Sequence, residues 1–193
     1  MAEIIHINVE DLSADLIEEI KEKYRGAKLQ IKVSPQPFSS EEEDWFWQVI
    51  AKLDWKKTNI NEAIIKPVIN YLSTESNERI FLFQDILSQK LHALDGQKFA
   101  ENIGENAYGK GKYFSGDEFL YIRCAVIANG KKTYEEILKT PAKILKNKSF
   151  TPLLYLAERA YLQKNKVELN RLPAYVYETF FNEDGWGDKA IKL

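Results

Sequence analysis

The sequence predicts a mainly α protein: a helical domain carrying a small N-terminal α/β (β-α-β) attachment. Three observations lead to this reading. Beyond residue 39 most segments repeat apolar residues at helical spacing. Before it, two alternating stretches flank one amphipathic segment. Between the two lies SPQPFSSEEED (34–44), whose prolines, serines and acidic run mark a boundary. The expected organisation is therefore an attachment and linker over 1–38 and a helical domain over 39–193.

In the attachment, EIIHINV (3–9) and AKLQIKV (27–33) alternate as strands do, and SADLIEEIKEKY (13–24) places Leu16, Ile17, Ile20 and Tyr24 on one helical face. Two strands and one helix are marginal alone. These strands call for a further strand, from this chain, a second copy (a homodimer) or a protein partner.

In the helical domain, Ser39 with Glu42, or Ser40 with Glu43, makes a capping box ahead of the stripe Phe46, Val49, Ile50 and Leu53. INEAIIKPVINYL (60–72) is apolar at helical spacing, and Pro67 is expected to start, kink or split it. The longest helix is NERIFLFQDILSQKLHALD (77–95), followed by a shorter one in KFAENIGENAYG (98–109) and a loop with glycines at 109, 111 and 116. Ser115 and Glu118 cap the next helix and Asn129-Gly130 ends it. Another helix follows Thr151-Pro152. The aromatic stretch PAYVYETFFNEDGWG (173–187) either wraps the helical body or supplies a strand, and Trp186, beside two glycines, is the tryptophan best placed to touch a partner.

Composition narrows the function classes. Hydrophobic residues at 45% and charged ones at 29% describe an ordinary globular chain, and no apolar run reaches the roughly 18 residues that a membrane span needs. A cytoplasmic protein is expected. The single cysteine, Cys124, excludes an internal disulfide and sits among apolar residues, as an inert buried thiol does. Net charge is −2, so nothing global favours nucleic acid. Residues 1–54 carry twelve acids against six bases, and 131–148 carry six lysines against two glutamates. At helical spacing those lysines read as a solvated face.

No phosphate-cradling loop, nucleophile elbow or cysteine–histidine metal pattern is present, and neither a metal nor a cofactor is implied. Asp85, Ser88 and His92 share one helical face, but seven residues separate Asp85 from His92, about 10 Å of rise, too far for a catalytic triad. One feature demands explanation. EFLYIRCAVI (118–127) places Arg123 in the arc of Phe119, Leu120, Ile122, Val126 and Ile127. A buried guanidinium stays charged, so it needs a carboxylate partner, and Glu101, Glu105, Glu158 and Glu178 are candidates. Either Arg123 forms a structural ion pair that fixes helix register, or it lies in a cleft that binds an anion. Such a cleft would be lined by Asp117, Tyr121, Tyr108 and Glu158.

DWFWQVIAKLDW, FQDILSQKLHALD, AENIGENAY, YFSGDEFLYIRCAVIANGKKTYEEILKTP, PLLYLAERAYLQK and YETFFNEDGW together resemble a bacterial domain-of-unknown-function family, number forty-two forty. The pattern corresponds to Phe46 and Trp47, then Asp117, Phe119, Tyr121, Arg123, Gly130, Tyr134, Glu135 and Pro141, over about residues 44–187. Gly116 stands where an acid is expected beside Asp117, which weakens a paired-carboxylate site, and residues 1–38 lie outside the domain. The resemblance implies a mostly helical domain and no reaction. Two functions follow: a non-enzymatic interaction or regulatory module assembling through its N-terminal strands, or an enzyme or small-molecule-binding protein with an anion-binding cleft around Arg123.

Overall fold

The computed structural model describes residues 7, 11–27, 37–57, 61–109 and 113–191, and the chain divides into two compact units, 1–36 and 37–193. In the first unit the described element is α1 (Ala14–Lys23). Ser13 caps it by accepting from the Leu16 amide at 3.2 Å, and Leu16, Ile20 and Tyr24 lie half-buried along one side. The two predicted strands fall almost wholly outside the described residues, and among the described residues there is no strand. The β-α-β attachment is therefore unsupported beyond its helix.

The second unit is helical. α2 (Ser40–Ile50) opens on the Ser39–Glu42 capping box, with Ser39 amide to Glu42 carboxylate at 2.8 Å and Glu42 amide to Ser39 hydroxyl at 3.2 Å. It buries Phe46, Trp47, Val49 and Ile50. α3 (Asn61–Thr74) continues past Pro67, which neither starts nor splits it. The proline sits on the exposed side between buried Ile65 and Val68, so the Ala63 carbonyl it leaves unbonded lies toward water. α4 (Asn77–Ala93), capped by Ser76, is followed by α5 (Gln97–Ala100). The helix expected over 98–109 stops there, because the chain turns at Gly104, whose φ of 118° suits glycine.

α6 (Gly116–Ala128) is the centre of the core: from Phe119 to Ala128 only Tyr121 is not buried. Helices apolar all round belong inside a fold, and α7 (Lys131–Lys139), α4 and a 3₁₀ turn (Thr151–Tyr155) pack around this one. α8 (Leu156–Asn165) continues from that turn and lies against α3 and α4. The chain then leaves the helical body as an irregular strap, residues 171–182, that returns over α4 and α6 and ends in α9 (Glu183–Trp186). The C-terminal stretch thus wraps the helices and supplies no strand. Trp186 is 4% exposed, so the expectation that it meets a partner is corrected: it closes the core.

Candidate functional site

The Arg123 side chain is completely buried and both terminal nitrogens donate to the protein. One terminal nitrogen donates to the Leu91 carbonyl at 3.0 Å and the Tyr177 carbonyl at 2.9 Å, and the other donates to the Thr179 hydroxyl at 2.8 Å. Thr179 donates onward to the Gly116 carbonyl at 2.7 Å. The Phe119 ring lies under the guanidinium at 4.8 Å. Nε is left without a partner. Burial pushes the pKa of Arg123 down and the neighbouring Asp95 opposes that shift, but a guanidinium keeps its proton.

Asp95 is the carboxylate nearest Arg123, at 3.8 Å and equally unexposed. It was not among the four acids the sequence suggested. Its oxygens accept from the Trp186 indole at 2.9 Å, the Phe181 amide at 3.0 Å, the Asn182 amide at 3.1 Å and the Phe180 amide at 3.4 Å. Phe180 has a φ of 77°, and consecutive amides around such a residue form an anion-binding concavity. Arg123 and Asp95 therefore hold the same strap from two sides.

The polar face of α4 that superficially resembled a triad completes this attachment. Asp85 pairs with both terminal nitrogens of Arg171 at 2.7 and 2.5 Å and accepts from the Ala174 amide at 2.9 Å. Ser88 accepts from the Tyr175 amide at 3.2 Å, and a ring nitrogen of His92 bonds the Val176 carbonyl at 2.7 Å. Each residue of that face serves a different strap position, in line with the distance argument against catalysis.

The five residues predicted from sequence divide into three groups. Arg123 is interior. Tyr108 packs in an aromatic cluster, 5.2 Å from Trp186 and 5.3 Å from Phe114 between ring centres. Asp117 and Glu158 are exposed and Tyr121 is half-buried. The Phe150 amide donates to the Tyr121 carbonyl at 3.0 Å, which sets the 3₁₀ turn bearing Tyr155 against α6, and the Arg123 bond to Tyr177 sets the strap beside it. Burial raises the Tyr121 pKa, with further contributions from Asp117, Tyr155 and Glu178. Burial likewise raises that of Tyr177, with Glu178, Glu158 and Tyr155 adding to it. Tyr121 thus lies within electrostatic reach of Asp117 and Glu178, and Tyr177 within that of Glu178 and Glu158, with Tyr155 near both. Asp117, Glu158 and Glu178 form no hydrogen bond or ion pair through their carboxylates with another described residue. Tyr155, Tyr177 and Glu178 were missed because a turn and an irregular strap carry them. The one signal was Glu178, considered as a partner for Arg123.

The resemblance rests on residues now seen to be largely architectural. Trp47 packs on Phe46 at 5.0 Å and on Tyr134 at 5.4 Å, Gly130 has a φ of 91°, and Pro141 opens a 3₁₀ turn. A family model described as a protein of unknown function (DUF4240) matches residues 42–163. The chain belongs to the DUF4240 family. No curated protein and no solved structure matches it. The DUF4240 match takes in Asp95 and Arg123 but stops short of the strap that both of them hold.

Two shallow depressions lie apart from the predicted residues. One of about 500 Å³ is lined by Glu42, Arg79, Phe81 and Asp85 among others, and one of about 460 Å³ by Glu62, Lys66, Arg159 and Gln163. In the second, Glu62 and Arg159 neutralise each other through two bonds of 2.8 and 2.5 Å. Among the described residues no cluster of histidine, cysteine or carboxylate side chains could hold a metal ion, and no helix is long and apolar enough to cross a membrane.

Proposed function

We propose that this DUF4240 chain is a non-enzymatic interaction module that docks a basic segment of a partner protein. The docking face is formed by α6, the 3₁₀ turn, the first turn of α8 and the strap. The observation that carries this reading is the set of three carboxylates, Asp117, Glu158 and Glu178, unpaired among the described residues and within electrostatic reach of Tyr121 or Tyr177. Carboxylates pair with lysine and arginine through charge-assisted bonds, and a phenol ring such as that of the exposed Tyr155 accepts cations on its face. An anion at Arg123 would instead have to displace Tyr177, Thr179 and Leu91 from the guanidinium, which makes the anion-binding reading the weaker one.

Fluorescence anisotropy with arginine- and lysine-rich peptides against acidic ones tests this. Wild type should prefer the basic peptides, increasingly so as salt falls, and Glu158→Lys or Glu178→Lys should weaken binding about tenfold. No preference in wild type, or no effect of either reversal, would end this reading. The alternation at 3–9 and 27–33 supports a second proposal, that the first unit assembles with a further copy or partner through its edges. If so, deleting residues 1–34 changes the mass in light scattering; an unchanged mass removes it.

A further inference from the structure

At the end of α8, Lys166 takes a φ of 62°, the left-handed conformation that glycine adopts readily and that a β-carbon opposes. The chain reverses there and crosses 166–170 before Arg171 anchors on Asp85. Val167, Glu168 and Asn170 in this crossing are exposed. Among the described residues its only hydrogen bonds are those of Lys166, from its amide to the Leu162 carbonyl and from its ammonium to the Gln163 carbonyl. A strained, sparsely held hinge therefore joins two strongly attached parts. The family match ends at residue 163, so it contains the groove and omits both hinge and strap.

The groove recognises the strap chiefly through main-chain groups: the amides of Ala174, Tyr175, Phe181 and Asn182 and the carbonyls of Val176 and Tyr177. A strap from a second copy offers the same groups in the same order. We propose that residues 171–186 are exchangeable between two copies. Each chain straightens at 166–170 and seats its strap on the α4–α6 groove of the other. Each Asp95–Arg123 pair is then completed by the other copy's strap. Exchange preserves every strap contact and relieves the Lys166 backbone twice per dimer, against the entropy lost on association. Single chains dominate in dilute solution and exchanged dimers gain with concentration. Interconversion is slow, because the strap must leave its groove first.

Full-length protein is refolded from denaturant at dilute and concentrated conditions, and its mass is read by light scattering. A His92→Cys, Val176→Cys variant, treated with a short bifunctional maleimide, is resolved on a denaturing gel. The native Cys124 is buried and does not compete. The expected result is a monomer that crosslinks within one chain and a concentration-dependent dimer that crosslinks between chains. In an otherwise wild-type background, Lys166→Gly should lower the dimerisation constant about tenfold or more, because glycine removes the penalty at both hinges. Absence of a dimer at any concentration, a dimer that crosslinks only within chains, or a constant unmoved by Lys166→Gly would each overturn the proposal. Assembly through the first unit gives a dimer that crosslinks within chains and is abolished by deleting residues 1–34, so the two modes are separable.

Discussion

Asp95 lies 3.8 Å from Arg123 with neither side chain exposed, and both direct their hydrogen bonds at one strap. Taking two charges out of water costs several kcal/mol per ion, and only good geometry with full hydrogen bonding offsets it. The strap supplies most of that, with only Nε of Arg123 left over: a carbonyl and a hydroxyl for the guanidinium, two well-placed amides and an indole for the carboxylate. Helical body and strap are thus interdependent parts of one folded unit.

Arg123→Met should lower the unfolding free energy by about 3–5 kcal/mol, the usual consequence of leaving one member of a buried pair behind. Arg123→Lys should recover a minor part of it, since a single ammonium cannot span the acceptors that a planar fork reaches. Urea unfolding followed by tryptophan fluorescence measures both. A loss under about 1 kcal/mol for Arg123→Met would mean that the pair does not hold the strap.

A double-mutant cycle separates the pair from its surroundings. Asp95→Asn alone should be costly, because its amide would face the indole and the strap amides, all donors. Combined with Arg123→Met it should cost less than the sum, by about 0.5–3 kcal/mol. Strict additivity would assign the two residues to independent networks.

Gly185 is required by close approach. A β-carbon there would lie 2.1 Å from the Asp95 carbonyl oxygen and 2.9 Å from the Gly96 α-carbon, both backbone atoms. Gly185→Ala should therefore cost at least about 1–3 kcal/mol, as overpacking does. Gly187→Ala meets no atom within 4 Å, but its φ of 56° with ψ of −130° is a conformation that glycine alone adopts readily, so it should cost about 1–3 kcal/mol from backbone strain alone. Thermal unfolding of each variant measures the two costs; a Gly185→Ala variant within about 0.5 kcal/mol of wild type would contradict the packing described.

Alkaline stability follows from Cys124. Burial pushes its thiol from 9.0 up to about 12, with Arg123 pulling the other way, and burial also raises Tyr134. A group whose folded pKa is raised contributes stability that is full below its unfolded pKa and is lost as pH climbs through the folded one. Stability should therefore fall between about pH 9 and 12 and fall less steeply in Cys124→Ala. At pH 8 the thiol should react with a disulfide reagent only as fast as the chain unfolds. Rapid labelling of the folded protein would refute this.

Much of the helical architecture was legible because periodicity and caps are local. Ser39–Glu42, Ser115 ahead of α6 and the turn at Gly130 could all be found without tertiary knowledge. The partner of Arg123 could not. Asp95 closes the segment 77–95, expected to be helical throughout, yet it stands just beyond α4, which ends at Ala93; its partners come from the strap, which has no periodicity of its own. A buried acid before Gly96, one turn on from His92, was the available signal. Asp117 and Tyr121 were grouped in the sequence as lining of a cleft at Arg123, and residues four apart on a helix are indeed neighbours. Tyr155 and Tyr177 were not grouped with them, since a 3₁₀ turn and a strap with no repeat of their own carry them. Pro67 neither starts nor splits α3 for a related reason: its penalty depends on which side of the helix meets water.

The most direct test of the central claim, that Arg123 anchors the strap, is amide hydrogen exchange at Phe181 and Asn182 in wild type and Arg123→Met. Slow exchange in wild type is predicted, rising by orders of magnitude in the variant while α3 and α8 stay protected. Strap amides that exchange freely in wild type, or that keep their protection without Arg123, would contradict it.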